Sequence, residues 1–241
     1  MKAPIGIIGA MQVEVELLQQ HMTNVTTKTI SSMTFYCGEL AGAPVVVAQS
    51  GVGKVNAAMC AQVMATIFSV GACINTGIAG SLAHDLHVGD IVISTDAVYH
   101  DVDVTNLSYK PGQLPDLDTL AFAADTALRE CAYGVCSRYA AEHGQRCIIG
   151  RIASGDQFVC TRARKEAIVQ EFGAACCEME GAAIGHVCYR NQVPFVGIRT
   201  MSDSADEVSK LDYPSFERTC AYANAACIEE MLRVMNSDGV E

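Results

Sequence analysis

Apolar and polar positions along this chain switch repeatedly between two patterns. Short apolar runs at 4–9, 33–39, 44–49, 72–76, 90–94, 147–153, 174–178 and 194–201 read as strands. Between them, residues 11–21 place Met11, Val15, Leu18 and Met22 at helical intervals. Residues 53–69, 118–142, 161–171, 180–190 and 213–236 read as further helices. Turn signals fall at Ala41-Gly42, Gly77–Gly80 and Val88-Gly89, and 101–117 reads as a long loop around Pro111-Gly112 and Pro115. This alternation predicts an α/β fold with a central mixed, mostly parallel sheet flanked by helices in three layers. No repeat, linker or low-complexity tract divides the chain, so residues 1–241 read as one domain.

Residues 55–83 carry no charge and raise the question of a membrane span. Asn56, Gln62, Thr66, Ser69, Asn75 and Thr76 interrupt the stretch, and Gly71, Gly77 and Gly80 punctuate it. A central buried helix followed by a buried strand is the better reading.

Composition narrows the function. Of 241 residues, 50% are hydrophobic and 18% charged, which supports a sizeable core. The formal charge of −11 argues against non-specific nucleic-acid binding and against docking on anionic membranes. The twelve cysteines include no Cys-x-x-Cys and read as reduced, mostly buried thiols. Met1-Lys2 leads straight into the first apolar run with no secretory leader, so the expected location is the cytoplasm.

The candidate chemistry lies at strand ends. Two acidic segments, Cys177-Glu178-Met179-Glu180-Gly181 and Arg199-Thr200-Met201-Ser202-Asp203-Ser204-Ala205-Asp206, each close an apolar run. Acids there cost free energy unless they serve something, and strand ends are where α/β sheets bind ligands. Each also has a plain reading. Glu178 and Glu180 suit a helix start, and Asp203 and Asp206 suit caps. Glu14 and Glu16 likewise suit the dipole of the first helix, although Glu14 follows a strand end and faces the same rim if it turns inward.

Gly6-Ile7-Ile8-Gly9 lacks the dinucleotide fingerprint, and Gly51-Val52-Gly53-Lys54 lacks a nucleoside-triphosphate loop, with Val55 in place of Ser or Thr. Both read as tight turns, with or without a ligand against the backbone. His84-x-x-His87 and His100-Asp101-x-Asp103 lack an obvious third ligand, so no metal is expected. Ser154-Gly155-Asp156-Gln157-Phe158 reads as a helix cap or as a platform for a planar ligand. Several acids in one concavity suit a hydroxyl-rich ligand carrying a nitrogenous base.

Taken in order, these segments carry a resemblance. Gly6–Met11 with Glu14, Ser50–Lys54, Asn75–Gly80, Val88-Gly89-Asp90, Tyr99–Asp103, Ser154–Phe158, Glu178-Met179-Glu180 and Ser202-Asp203 resemble the bacterial 5′-methylthioadenosine/S-adenosylhomocysteine nucleosidases over nearly the whole chain. The resemblance implies a nucleoside phosphorylase-like fold and a homodimer. It implies hydrolysis of the adenine–ribose bond with no metal and no organic cofactor. It casts Glu14 as the residue that activates water and Asp203 as the acid at adenine N7, with Ser202 positioning it. Glu180 and the Met179 backbone would bind ribose, with Glu178 beside them. Phe158 would stack on adenine, the Val159 backbone would meet the base edge, and Arg199 would lie near Glu14. Met11, Val52 and Tyr213 match positions lining the ribose and alkylthio pocket. Leu107 and Tyr109, in the 101–115 loop, would reach the neighbouring subunit's site. Ile78 departs from members that have Ser there, and removes a hydroxyl from the site.

Two other readings compete. A phosphorylase on the same fold would clamp phosphate with arginine, yet no arginine precedes Arg129, and Glu14 would repel the anion. A non-catalytic nucleoside binder would have no use for Glu14, Glu180 and Asp203 together.

Overall fold

The computed structural model describes residues 3–203 and 213–237, with side chains in the second segment from residue 216 onward. In chain order the elements are β1 (Ile5–Gly9), α1 (Gln12–His21), β2 (Thr23–Ile30), β3 (Met33–Leu40), β4 (Ala43–Gln49), α2 (Lys54–Thr66), β5 (Ala72–Ser81) and β6 (Ile91–Tyr99). A 3-10 turn (Thr105–Leu107) precedes β7 (Ala121–Ala123), α3 (Thr126–Glu142), β8 (Cys147–Ser154), α4 (Arg162–Phe172), β9 (Cys176–Glu178), α5 (Gly181–Asn191), β10 (Phe195–Asp203) and α6 (Tyr213–Ser237).

All the strands join one mixed sheet, ordered β10-β6-β8-β9-β5-β1-β4-β3-β2, with β7 on β6. An additional β10–β5 pairing closes part of it into a ring through β5, β10, β6, β8 and β9. β5 makes this closure. Its residues 72–75 pair with β1, while Gly80 and Ser81 have left β1 and pair with β9. Register shifts at Met201/Asp203 in β10 and Ser94/Ala97 in β6 add the local twist that curvature needs.

Helices cover both faces. Val15, Leu18, Leu128, Val135, Ile228 and Leu232 from α1, α3 and α6 bury one face together with Ile7, Val47, Ile74 and Ile198 of the sheet. Ala57, Met64, Ile184 and Cys188 from α2 and α5 bury the other with Ile8, Phe35 and Val46. Each buried Val, Leu, Ile, Met or Phe side chain among these contributes about 1.5–3 kcal/mol on leaving water. All twelve cysteines are free thiols, and only Cys160 is exposed. Among the described residues no helix is long and apolar enough to cross a membrane.

Four local expectations change. The Gly-rich turn at 77–80 is the continuation of β5, because the strand needs backbone without side chains where other groups cross it. Thr-rich β2, which has no apolar alternation, is an exposed edge strand that pairs with β3 alone among the described residues. The helix expected from 118 begins at Thr126, where the Asp125 carboxylate accepts the Leu128 N–H at 2.9 Å; β7 occupies part of the remainder. Finally, α2 is not central: Ala57, Cys60, Ala61 and Met64 are buried, but Val55, Met59 and neighbouring Ile67 face outward.

Candidate active site

The acids gather over the second half of β5. Glu14 enters from the first turn of α1, just beyond β1. Its Oε2 accepts the N–H groups of Ala10 (2.7 Å) and Met11 (2.9 Å), which is the ordinary role of an acid at a helix start. Its Oε1 reaches across the sheet to accept the Ile78 N–H at 3.0 Å. The side chain is buried, and burial raises its pKa, while Arg199 and these N–H groups pull it back. Both plain and functional readings of Glu14 therefore describe the same carboxylate. The contact at residue 78 is made by the backbone, so Ile in place of Ser leaves it intact.

Arg199, on β10, is 1% exposed and the largest fully buried side chain among the described residues. Its Nη2 donates to Asn75 Oδ1 and Glu178 Oε2. Gly77 makes room for it: a Cβ there would overlap Arg199 Nη1 and lie 2.5 Å from Glu14 Oε1.

Glu178 ends β9. Besides Arg199, it accepts from Ser154 Oγ and from the N–H groups of Glu180 (3.0 Å) and Gly181 (2.8 Å). Its oxygens are taken up inside the protein, which makes it the anchor of the turn bearing Met179 and Glu180. Breaking such a buried pair costs about 3–5 kcal/mol.

Glu180, at the start of α5, accepts the Gly53 N–H at 2.8 Å. Gly53 holds φ at +97°, a conformation that presents this N–H and suits glycine. Burial, reinforced by the Glu178 charge, raises the Glu180 pKa to about 7.

Asp203 closes β10. Its Oδ1 accepts the Ser81 N–H at 3.1 Å, and its Oδ2 lies 3.2 Å from Lys165 Nζ. Burial raises its pKa and Lys165 opposes the rise. Ser202 is buried beside it, its hydroxyl 3.4 Å from the Ala79 carbonyl.

The remaining expected residues are less tightly gathered. Phe158 is 72% exposed and offers an open ring face, whereas Val159 is buried. Met11 caps α1 and Val52 stands exposed on the β4–α2 turn. Leu107 is exposed and Tyr109 half-buried on the 101–117 segment. The Tyr213 side chain and Asp206 lie outside the described residues.

One expectation about the rim needs correcting. β1 and β10 run parallel to β5, so Glu14 and Asp203 do arrive from carboxyl ends. β9 runs antiparallel to β5, so the Glu178–Glu180 turn reaches the cluster from the other direction. Ring closure, not a single open rim, brings the acids together.

Several supporting residues have roles that the sequence did not assign. Lys165 is a buried cation on α4, whose other buried residues are the apolar Ile168 and Phe172. Asn75 donates to the Ile8 carbonyl (3.1 Å) while accepting from Arg199, and Asn224 links Thr200 to the Gly77 carbonyl (2.7 Å each). Lys54 Nζ pairs with Asp101 at 2.7 Å, and the same Asp101 oxygen accepts the Asp156 N–H at 2.9 Å. That clamp fixes the turn before Phe158. Asn75, Lys54, Asp101 and Asp156 stand within the motif segments of the resemblance, which gave them no individual role.

The phosphorylase superfamily profile matches residues 4–233. The chain is 41% identical over 239 residues to a 5′-methylthioadenosine/S-adenosylhomocysteine nucleosidase of Shewanella baltica, covering 98% of this chain and 99% of the relative. Its structure is similar to that of the same nucleosidase from Neisseria meningitidis in complex with methylthio-immucillin-A, with TM-score 0.90 and 40% identity over 96% of this chain and 99% of that one. It also resembles the Colwellia psychrerythraea nucleosidase in complex with adenine, with TM-score 0.90 and 35% identity over 96% and 95% of the two chains. Fold, ordered motifs and full-length identity agree: the chain belongs to the phosphorylase superfamily and, within it, to the 5′-methylthioadenosine/S-adenosylhomocysteine nucleosidases.

Proposed function

We propose that this protein hydrolyses the adenine–ribose N-glycosidic bond of 5′-methylthioadenosine and S-adenosylhomocysteine. The observation that carries the reading is the gathering of three carboxyl groups with raised pKa over β5: Glu14 and Glu180, buried near Arg199, and half-buried Asp203, beside Lys165. In this reading Asp203, protonated, gives its proton to adenine N7. The C1′–N9 bond breaks with its electron pair passing to the base, so adenine leaves neutral. Positive charge grows on the ribose, and the neighbouring carboxylates stabilise it. Water attacks C1′ and Glu14 takes its proton. Burial supports both roles, since it raises the pKa of Asp203 and makes ionised Glu14 more basic. Glu180, anchored on Gly53, accepts from the ribose hydroxyls beside the Met179 backbone. Phe158 and Val159 receive the base, and Met11, Val52 and Tyr213 line the 5′ side.

Water is favoured over phosphate by charge. Arg199 is the arginine at the acids, and Glu178 already neutralises it. We further propose that residues 1–241 act as one domain in a cytoplasmic homodimer serving methionine salvage. The outward apolar face of α2 (Val55, Met59) with exposed Leu107 supports the dimer. The twelve free thiols suit a reducing compartment.

Product analysis with methylthioadenosine, S-adenosylhomocysteine and 5′-deoxyadenosine, with and without phosphate, tests the reaction. The expected products are adenine and the 5-substituted ribose at phosphate-independent rates, with no adenine released by Asp203→Asn. A phosphate requirement with formation of a ribose 1-phosphate would overturn hydrolysis.

A further inference from the structure

Three segments far apart in the chain meet at the Asp101 carboxylate. They are the β4–α2 turn with Gly53 and Lys54, the exit of β6 with Tyr99, His100 and Asp101, and the 154–158 turn that bears Phe158. Asp101 Oδ2 accepts from Lys54 Nζ at 2.7 Å and from the Asp156 N–H at 2.9 Å. In return Asp156 Oδ1 accepts the Lys54 N–H at 2.8 Å, and its Oδ2 lies 3.8 Å from Lys54 Nζ. The Lys54 ammonium also stands 5.5 Å from the centre of the Tyr99 ring, within range of a cation–π attraction.

This junction has little slack. A Cβ on Gly155 would lie 2.5 Å from His100 Cε1 and 2.9 Å from Asp101 Cγ, and one on Gly53 would lie 3.1 Å from Asp156 Oδ1. The His100 N–H donates to the Ser154 carbonyl at 2.9 Å, and Arg164 Nη2 donates to the His100 carbonyl at 2.9 Å. Charge holds the centre. Burial pushes the Asp101 pKa up, but the Lys54 ammonium and the Asp156 N–H outweigh it and leave the pKa below the ordinary aspartate value. Removing Lys54 would deprive a half-buried carboxylate of its ion pair.

The residue beside Lys54 serves the other half of the proposed site. Gly53 gives its N–H to Glu180 at 2.8 Å. Consecutive N–H groups, of Gly53 and Lys54, therefore hold the Glu180 carboxylate on the ribose side and the Asp156 carboxylate on the base side.

We propose that Lys54 is a positioning residue for glycosidic cleavage. By gripping Asp101 and Asp156 it keeps the Phe158 turn in register with the Gly53–Glu180 pair, so base and ribose are presented to Asp203 and Glu14 in one fixed relation. Cleavage needs both halves placed at once, so a loss of register is felt in the transition state more than in binding. The inference rests on the hydrolase reading and adds to it a residue that acts only through others.

Steady-state kinetics on methylthioadenosine test this, with kcat normalised to the folded fraction. Lys54→Met, which keeps an unbranched stem and removes the charge, should lower kcat on the order of 10- to 100-fold, with KM within about threefold of wild type. Asp101→Asn should show the same split. The double variant should fall no further than the worse single one, because the pair acts as a unit. Wild-type kcat in Lys54→Met, a KM rise at unchanged kcat, or additive losses in the double variant would each overturn the proposal while leaving hydrolysis standing. If Lys54→Met does not fold, the kcat-against-KM split of Asp101→Asn decides alone. Absence of turnover by wild type would instead overturn the hydrolase reading.

Discussion

Glu180 holds a proton up to about 7, against an ordinary value of 4.5. The folded protein therefore binds this proton more tightly than the unfolded chain does. Between those two values the folded state keeps a proton that the unfolded state has released, so this group's contribution falls as pH rises through the window. Thermal midpoints of wild type and Glu180→Gln should diverge accordingly. Wild type should lose stability relative to the variant between about pH 4.5 and 7, the window that follows from the raised pKa. Parallel curves would show that Glu180 is ionised throughout. The same site illustrates what a residue's neighbours add. In sequence, Glu14, Glu178 and Glu180 are three helix-start or strand-end acids. In the structure Glu178 is consumed by Arg199, Ser154 and two backbone N–H groups, whereas Glu180 meets the Gly53 N–H. Residue type could not separate them, because hydrogen-bond partners come from distant segments.

At the scale of elements, β5 carries the site. Its expected turn at Gly77–Gly80 is strand, and its lack of side chains at Gly77 admits Arg199 and Glu14. Gly77→Ala should therefore displace both groups. Overpacking of this kind costs about 1–3 kcal/mol, measurable by denaturant unfolding. Misplacement of the proposed catalytic groups by about 1 Å should cost on the order of 10²-fold in kcat. Wild-type turnover in that variant would show that the Arg199–Glu14 arrangement is not needed. The strands β1, β4 and β10 were legible because each is a short apolar run bounded by Gly or polar residues. β2 was not, because an exposed edge strand lacks the alternation that burial imposes. β7 was missed because its three residues carry too little pattern, and the helix signal of α3 was extended across them.

For the whole molecule, the apolar face of α2 remains to be accounted for. Val55 is 70% and Met59 42% exposed, four residues apart on one side of a helix whose other side is buried. A charge placed in a dimer interface must lose its water without a partner. Met59→Glu should yield a monomer on size-exclusion chromatography with light scattering, and should lose activity if the 101–115 loop completes the neighbouring site. An unaltered dimer would move the interface elsewhere. By itself the sequence determined the α/β class, most element positions, the family resemblance and the residue types available for chemistry. Each follows from local periodicity, turn chemistry or motif order, which short windows of chain contain. Tertiary structure alone decided that the sheet closes through β5 and β10 and that acids from oppositely directed strands meet there. It also decided that Arg199 is spent on Glu178 and that Lys165 faces Asp203. Those outcomes depend on which distant segments share a low-dielectric space, where an unpaired charge is costly and a paired one is fixed in place.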